Sequence, residues 1–396
     1  MKKIIIIIIP FFIFGCGKDV EKPIKSNLVE IVNSGTFLEP KQSSFEYGTL
    51  VKYEDIFNND LVFTEEYLKT DTLGKNNITV TYYKDNDKYE ENFNYTIVDT
   101  TEPLLWLSSS YTVNVGYQGD IAKDIICADN ADRHPNCYIE GDYDVNTVGS
   151  YKVRYVAIDA SGNKEDYPFT LYVKNPSNNS ESYTPKVNTP VEDIINKYKN
   201  ENTMIGIDVS KYQGNIDWAK VKEAGIEFAI IRLGTQWYFG DDDYRIDPYF
   251  ENNIKGATEN GIEVGIYFYS YATSPEEGIK QANFVLDHIK DYKVTMPIAF
   301  DWESYKHWNE LGISIFDLQS TSRAFQDVIK ENGYIPVQYG SKSYLNAFWL
   351  PNKYDTWLAH YTSQTDYDKD FVMWQLCNNG LVDGINGDVD IDIYYP

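Results

Sequence analysis

Two patterns of hydrophobic positions divide the chain. In residues 26–175, segments such as NNITVTYY and YKVRYVAID alternate apolar and polar residues, as half-buried strands do. From residue 204 onward, short continuous apolar runs take turns with longer amphipathic segments. This second pattern predicts a parallel sheet covered by helices, because strands buried on both faces are apolar throughout.

Eight apolar runs in the second region are strand candidates: MIGIDVS, FAIIRLG, EVGIYFYSYA, MPIAFDWE, IPVQYG, TWLAHYT, FVMWQL and DVDIDIYY. Between the earlier runs lie predicted helices, of which DPYFENNIKGATENG and IFDLQSTSRAFQDVIKENG end in Gly and SPEEGIKQANFVLDHIKD opens with an N-cap and Pro. Eight strands predict a closed barrel of the TIM type over residues 203–396. The last three runs leave little room for helices, so we expect an irregular barrel there.

The first region contains a weak repeat. DTLGKNNITVTYY and NTVGSYKVRYVA each combine a turn with an alternating strand, which predicts two all-β sandwiches, over residues 26–99 and 100–175. Through DTTEP and AIDASGN the second unit resembles bacterial immunoglobulin-like domains, which implies spacer modules. Sugar or Ca²⁺ binding by acidic loops such as GDYDVN is the alternative. Residues 176–202, rich in Asn, Ser and Pro before the helical segment VEDIINKYKN, predict a linker.

The chain begins with the segment MKKIIIIIIPFFIFGCGKD. A basic start and an apolar run shorter than the roughly 20 residues of a spanning helix predict a signal peptide. The segment IFGC resembles a lipoprotein box, which implies removal of the residues before Cys16 and a lipid on Cys16. The protein would then be anchored to the outer face of the bacterial cytoplasmic membrane. An uncleaved or conventionally cleaved signal is the alternative, and the latter predicts a secreted protein.

Composition restricts the choice of partners. A net charge of −25 argues against nucleic acid, because phosphate binding needs clustered Lys and Arg. The chain has 34 Tyr and 8 Trp, which suits stacking on sugars but also Tyr-rich β structure. Export permits a disulfide between Cys127 and Cys137, although sequence alone leaves that pairing open. We expect a monomer.

Carboxylates stand at the ends of several predicted strands. Asp301 and Glu303 are two apart in MPIAFDWES, so a strand would turn both to one side. Two close carboxylates disfavour joint ionisation, which keeps an acid beside a carboxylate. Asp208 and Asp390 lie in the first and last predicted strands, and we expect all four at one rim of the barrel. The alternative for Asp301 and Glu303 is a strand that ends in a solvated loop.

Aromatic residues accompany these acids. A cleft with acids and aromatic walls suits a polysaccharide hydrolase, because rings stack on sugars while an acid protonates the leaving oxygen. Each aromatic candidate could equally be a packing residue: Tyr267, Tyr269, Tyr271, Tyr339, Trp357, Tyr361 and Trp374. The four His residues lack zinc-ligand spacing, and neither G-x-S-x-G nor a phosphate-binding G-x-x-x-x-G-K-[ST] loop occurs. We expect no cofactor and no metal.

The second region resembles the lysozymes of glycoside hydrolase family 25. The motifs that carry the resemblance run in order along it: GIDVSKYQGNIDW, YFYSYA, AFDWE, WLAHY and WQL…GLVDGINGDVDID. The resemblance implies a (β/α)₅(β)₃ barrel and cleavage of peptidoglycan between N-acetylmuramic acid and N-acetylglucosamine. It assigns four acids: Asp208, Asp301, Glu303 and Asp390. It makes Glu303 the general acid and base, and it favours Asp390 over Asp392, since the preceding GDV fits the family pattern.

Two mechanisms and one non-enzymatic function stay open at this point. In the first mechanism, Asp301 orients the 2-acetamido group of the substrate, which attacks the anomeric carbon with net retention. In the second, a carboxylate activates water across a wider gap and the configuration inverts. The non-enzymatic alternative is a surface lipoprotein whose barrel only binds peptidoglycan.

Overall fold

The computed structural model describes residues 3–6, 29–33, 36–58, 60–176 and 187–396. The chain divides into two compact units, Met1–Thr100 and Thr101–Pro396. Among the described residues, no helix combines the length and the apolar character needed to cross a membrane. Cys16, the predicted lipidation site, lies outside the described residues.

The first unit is a small β structure. Its elements are β1 (Lys3–Ile6), β2 (Val29–Asn33), β3 (Ser44–Glu46), β4 (Val51–Lys52), α1 (Tyr53–Ile56), β5 (Val62–Phe63), β6 (Tyr67–Leu68), β7 (Gly74–Lys84) and β8 (Asp87–Val98). The main sheet has the order β1-β2-β8-β7-β5, with β3 also paired to β8. The β7–β8 hairpin turns at Asp85 and Asn86, which both have positive φ, as the tightest hairpin turns require.

The second unit begins with another strand-rich module, residues 101–176. Its elements are β9 (Leu104–Leu105), β10 (Ser110–Asn114), α2 (Ile121–Asp124), β11 (Cys127–Ala128), β12 (Asn136–Glu140), β13 (Gly149–Ile158) and β14 (Lys164–Lys174). Four strands form a sheet in the order β10-β14-β13-β12, and β9 pairs with β11 as a short ribbon. A disulfide joins Cys127 in the ribbon to Cys137 in the sheet. The immunoglobulin-like character of the two modules stays a prediction.

The rest of the second unit alternates strands and helices. Its elements are β15 (Thr189–Pro190), α3 (Val191–Tyr198), β16 (Met204–Val209), α4 (Trp218–Glu223), β17 (Phe228–Gln236), β18 (Tyr244–Ile246), α5 (Phe250–Glu259), β19 (Glu263–Tyr269), α6 (Pro275–Ile289), β20 (Ile298–Asp301), α7 (Trp308–Leu311), α8 (Ile315–Glu331), β21 (Pro336–Ser341), α9 (Lys342–Ala347), β22 (Asp355–Ala359), β23 (Met373–Leu381) and β24 (Val389–Tyr394). The predicted helix signals form as expected: Ser274 caps α6, and Gly261 and Gly333 follow α5 and α8 with positive φ.

Within residues 187–396, eight strands close into a barrel, as the apolar runs predict. Strands β16, β17, β19, β20, β21, β22 and β23 pair in this order as parallel neighbours. β24 runs antiparallel to both β16 and β23 and closes the ring. No helix lies between β22 and β23 or between β23 and β24 in this described range, which confirms the predicted irregular end.

Strand alternation sorts barrel residues into two layers. Ile205 and Ile207 of β16 pack outward against the helices, whereas Asp208 between Ile207 and Val209 turns inward. The inner layer is a separate core cluster that includes Phe228, Ala299 and Met373. The barrel interior is therefore filled with apolar side chains. The inward-pointing polar side chains lie near the carboxyl ends of the strands.

Candidate active site

A cleft at the carboxyl ends of the barrel strands collects the predicted acids. The cavity has a volume of about 260 Å³. Its lining includes the four acids Asp208, Asp301, Glu303 and Asp390. Three parallel strand pairings and one antiparallel pairing therefore bring these residues to a single site, although they are far apart in the chain.

Asp301 and Glu303 share one side of the chain because Trp302 between them turns the other way. Trp302 is fully buried in the outer core and packs edge-on against Tyr305 and Trp308. Asp301 is only 5% exposed, and its Oδ1 has no hydrogen-bond partner among the described residues. Glu303 is exposed to the cleft. The pair thus consists of one enclosed and one accessible carboxyl group.

The two carboxyl groups are hydrogen-bonded and cannot both ionise easily. Burial raises the pKa of Asp301 well above its usual value, and the charge of Glu303 raises it further. Desolvation by the cleft walls also raises the pKa of Glu303, while the hydrogen bond with Asp301 favours its ionised form. The shared proton therefore lies with Asp301, and the pair holds a proton at higher pH than an ordinary carboxyl group.

Arg232 is a cation that the sequence analysis missed. Its guanidinium donates from Nε and Nη2 to Asp247 Oδ2 at 2.8 and 2.6 Å, and the side chain of Asp247 is fully buried. Arg232 lines the cleft, and its charge lowers the pKa of Asp301, against the larger effects of burial and Glu303. The signal was available in FAIIRLG, where a single charge interrupts a buried strand, since such a charge needs a partner.

A second acidic cluster faces the first across the cleft. Asp208 of β16 is opposite Asp390 of β24 in the strand register, and Asp392 lies two residues further on the same face. Asp392 is fully buried and accepts a hydrogen bond from Trp357 Nε1 at 2.9 Å, whereas Asp390 is half-buried and lines the cleft. Burial, then the charges of Asp390 and Asp392, raise the pKa of Asp208. The cluster thus holds a proton above the usual carboxyl range.

Gln375 connects this cluster to the aromatic wall. Its Nε2 donates to Asp208 Oδ2 at 2.6 Å, and its Oε1 accepts from the hydroxyls of Tyr339 and Tyr361 at 3.1 and 3.0 Å. The donated hydrogen bond favours the ionised form of Asp208 and so opposes the rise in its pKa. Sequence analysis missed Gln375 as well, although a polar residue in the middle of FVMWQL was the signal.

The aromatic candidates fall into two groups. Five of the seven line the cleft: Tyr267, Tyr269, Tyr339, Trp357 and Tyr361. Tyr271 lies after β19, edge-on to Tyr269 and Phe239, outside the cleft lining. Trp374 also lies outside the cleft lining. It turns outward from β23 into the helix-facing core and donates from Nε1 to the carbonyl of His360. Side chains alternate along a strand, so Trp374 and its neighbour Gln375 point to opposite faces of β23, and Gln375 is the one that lines the cleft.

Comparison with known proteins agrees with this geometry. The model of the family "Glycosyl hydrolases family 25" matches residues 207–385. Over 217 residues the chain is 31% identical to the uncharacterised protein YegX of Escherichia coli, covering 52% of this chain and 74% of that protein. The chain belongs to glycosyl hydrolases family 25.

Two further relatives extend this family 25 comparison. The autolytic lysozyme of Clostridium acetobutylicum is 30% identical over 196 residues, which cover 48% of this chain and 55% of that protein. A solved family 25 glycosyl hydrolase from Bacillus anthracis aligns with a TM-score of 0.44 and 20% identity, covering 54% of this chain and 95% of the other. Residues 207–385, which the family model matches, begin in β16 and end after β23 of the barrel. The protein is a glycoside hydrolase.

Proposed function

We propose that this protein is a lysozyme that cleaves the β-1,4 bond between N-acetylmuramic acid and N-acetylglucosamine in peptidoglycan. Membership in family 25 and the lysozyme among its relatives support this substrate. The observation that carries the proposal is the Asp301–Glu303 pair. It combines an accessible carboxyl group of raised pKa with an enclosed acceptor oxygen in one cleft.

Glu303 acts as the general acid because it is the exposed member of the pair. The substrate itself supplies the donor that Asp301 lacks, since the 2-acetamido N–H can donate to Asp301 Oδ1. That hydrogen bond stabilises the Asp301 carboxylate, which moves the shared proton to Glu303. Substrate binding therefore prepares the acid, and a proton on Glu303 is what the leaving oxygen needs.

The first step breaks the glycosidic bond. The acetamido carbonyl oxygen attacks the anomeric carbon while Glu303 gives its proton to the leaving oxygen, and a cyclic oxazolinium intermediate and a Glu303 carboxylate result. In the second step, water attacks the same carbon, gives a proton to Glu303 and displaces the acetamido oxygen. Two displacements at one carbon give net retention. The inverting route needs a carboxylate that activates water on the opposite face of the sugar.

The opposite acidic cluster holds the sugar rather than reacting with it. Asp208 and Asp390 offer acceptors to sugar hydroxyls at the cleft wall, and Gln375 fixes the orientation of Asp208. Tyr267 and Tyr339 add ring surface beside these acceptors. This division of roles places binding on β16 and β24 and chemistry on β20.

Mass spectrometry of muropeptides released from purified peptidoglycan tests the activity. We expect products with reducing N-acetylmuramic acid from the protein and almost none from Glu303→Gln. Binding to peptidoglycan without release of reducing ends would instead favour a non-catalytic wall-binding protein. NMR of the first-formed anomer tests the mechanism, because retention predicts the β-anomer and an initial α-anomer would exclude the acetamido-assisted route.

The location of the enzyme is a separate proposal. We infer that a lipid on Cys16 anchors the chain outside the cytoplasmic membrane, with two immunoglobulin-like modules between this anchor and the barrel in the sequence. The segment IFGC and the basic, apolar start support this anchor. Growth with a labelled fatty acid tests it: the label should enter the wild-type protein and be absent from Cys16→Ser. Equal labelling of both would reject Cys16 as the lipidation site.

A further inference from the structure

The strand-rich module of residues 101–176 is docked onto the barrel through specific polar contacts. Asn309 Nδ2 donates to the carbonyls of Lys123 and Ile125, both at 2.8 Å, and its Oδ1 accepts from the backbone N–H of Cys127 at 3.0 Å. Arg133 forms a two-pronged ion pair with Asp317 at the start of α8, at 2.7 and 2.8 Å. These contacts use backbone groups as well as side chains, so they fix the orientation of the module.

The same interface is apolar at its centre. Ala128 is fully buried and belongs to the helix-facing core of the barrel, with Leu104 and Ile126 packed against that core. The backbone continues the contact, since the N–H of Ile315 donates to the carbonyl of Asp129 at 2.8 Å. The module is therefore part of the same compact unit as the barrel.

One consequence of docking is that Trp106 reaches the edge of the active-site cleft. The Trp106 ring lies 4.9 Å from the Tyr344 ring at an interplanar angle of 19°. Tyr344 in turn stacks on Tyr305 at 3.6 Å and 6°. Tyr305 and Tyr344 both line a second cavity of about 400 Å³, which also includes Glu303. A row of stacked rings thus leads from the general acid to the module.

A further cavity lies at the Trp106 end of this row. Trp106 and Tyr111 line this cavity of about 470 Å³ on the surface of the module, with Ser108 and Ser110. Trp106 keeps 37% of its surface exposed, although it takes part in the interface. The lining combines aromatic rings with hydroxyl groups and carries no charge, which suits an uncharged sugar better than a charged ligand.

We propose that Trp106 is a binding platform for sugars of the glycan strand that lie beyond the cleavage site, so that the docked module extends the substrate cleft. The occupant is the same strand that is cut at Glu303, because the cavities follow one another from Glu303 through Tyr344 to Trp106. This inference depends on the proposed lysozyme function, since it takes the strand from there. It predicts that the enzyme prefers long strands to short fragments.

Direct binding to the inactive full chain tests this platform. Glu303→Gln prevents turnover, and reduced muroglycan fragments of one, two and four disaccharide units serve as ligands in isothermal titration calorimetry. Adding Trp106→Ala should weaken binding of the longest fragment about two- to tenfold, the range for one aromatic stacking contact, and the loss should grow with fragment length. Trp106→Phe keeps a stacking ring and should retain most of the affinity.

Tyr172→Ala is the matched control, because Tyr172 lies in the same module with the same 37% exposure and is outside the cavity lining. This control should bind all fragments with unchanged affinity. Hydrogen exchange at the backbone N–H of Cys127, which donates to Asn309, reports whether the module stays docked. Weaker binding with retained protection supports the platform, whereas weaker binding with lost protection would overturn it, since Trp106 would then serve docking alone.

The remaining outcomes separate this inference from the lysozyme proposal. If the wild-type chain releases muropeptides but Trp106→Ala binds four-unit fragments as tightly as its parent, only the Trp106 platform is wrong. If the wild-type chain releases no muropeptides and the inactive chain binds no fragment of any length, the proposed lysozyme function itself is wrong.

Discussion

The two acidic walls of the cleft contain similar residues and differ in their hydrogen-bond donors. On β24 and β16, Asp392 accepts from Trp357 and Asp208 accepts from Gln375, so these carboxyl groups are held by neutral donors. Each wall keeps one buried carboxyl oxygen without a partner among the described residues, Asp392 Oδ2 on β24 and Asp301 Oδ1 on β20, but only Asp301 lies beside an exposed carboxyl group, that of Glu303. Carboxyl groups that accept from neutral donors are held in position, whereas Asp301, whose enclosed oxygen lies next to an accessible carboxyl group, is prepared for a substrate.

The largest effect should come from removing the accessible acid. Glu303→Gln keeps the shape of the side chain but cannot donate a proton to the leaving oxygen, so we expect kcat to fall by a factor of about 10²–10⁴. Release of reducing ends from purified peptidoglycan is the measurement.

The control for this substitution is Glu310→Gln, seven residues further along and largely exposed on α7. It should leave turnover at the wild-type level. If Glu303→Gln turned over peptidoglycan at the wild-type rate, the general acid would have to lie on the opposite acidic wall. The proposed difference between the two walls would then be wrong.

The next largest effect should come from the enclosed member of the pair. Asp301→Asn offers an N–H where the substrate needs an acceptor, and it takes away the charge that stabilises the developing oxazolinium. We expect kcat to fall about 10²–10³-fold, comparable to the loss of one preorganised transition-state hydrogen bond, with a smaller change in KM. A loss confined to KM would mean that Asp301 only binds the sugar, like the opposite wall.

Much of this fold could be predicted from sequence because barrel strands are apolar throughout. All eight runs become barrel strands, and DWE places Asp301 and Glu303 on one side by simple alternation. Trp374 could not be assigned in the same way. Which alternate residues of FVMWQL face the barrel interior depends on how this strand pairs with its neighbours. Sequence alone gives no such register.

The polar partners were harder to predict than the acids. Arg232 and Gln375 each stand alone in an apolar strand, and their roles depend on Asp247 and Asp208, which come from other parts of the chain. The docked module was beyond prediction for a similar reason, since Asn309 and Arg133 are ordinary surface residues until their partners are known. Long-range pairing, rather than local pattern, decides these features.

A moderate effect should follow when a neutral donor is removed from the wall formed by β16 and β24. Gln375→Leu takes the hydrogen bond from Asp208, which raises the pKa of Asp208 further, and leaves Tyr339 and Tyr361 without their acceptor. We expect kcat/KM to fall tenfold or more, since a hydrogen bond to a charged group contributes about 1.5–3 kcal/mol. The pH optimum should also change, because the ionised form of Asp208 is less favoured.

Gln319→Leu is the matched control, a fully buried glutamine on α8 whose side-chain amide makes no hydrogen bond with the described residues. Its kcat/KM and pH profile should stay at wild-type values. If Gln375→Leu behaved in the same way, hydrogen bonding would not distinguish the two walls.

The smallest effect concerns stability and carries a definite sign. Burial, then the charge of Asp390, raise the pKa of Asp392 well above its usual 3.8. Between that value and the raised pKa, the folded protein holds a proton that the unfolded chain has lost, so stability falls as pH rises. Asp392→Asn removes this penalty and should raise the free energy of unfolding at neutral pH by about 0.5–2 kcal/mol. The gain should disappear below pH 3.8.

Asp317→Asn provides the opposite sign in the same barrel. Partial burial works against its ionisation, but the hydrogen bonds and charge of Arg133 and the bonds from Ser314 lower the pKa of Asp317 overall. Its stabilising contribution is therefore present at neutral pH and is lost as pH falls through that lowered pKa. Urea unfolding at pH 7.5 and at a pH well below 3.8 should show Asp392→Asn gaining on the wild type as pH rises while Asp317→Asn loses. Parallel curves for both variants would mean that the acids at the cleft do not oppose folding, and that the cost of preparing the site lies elsewhere.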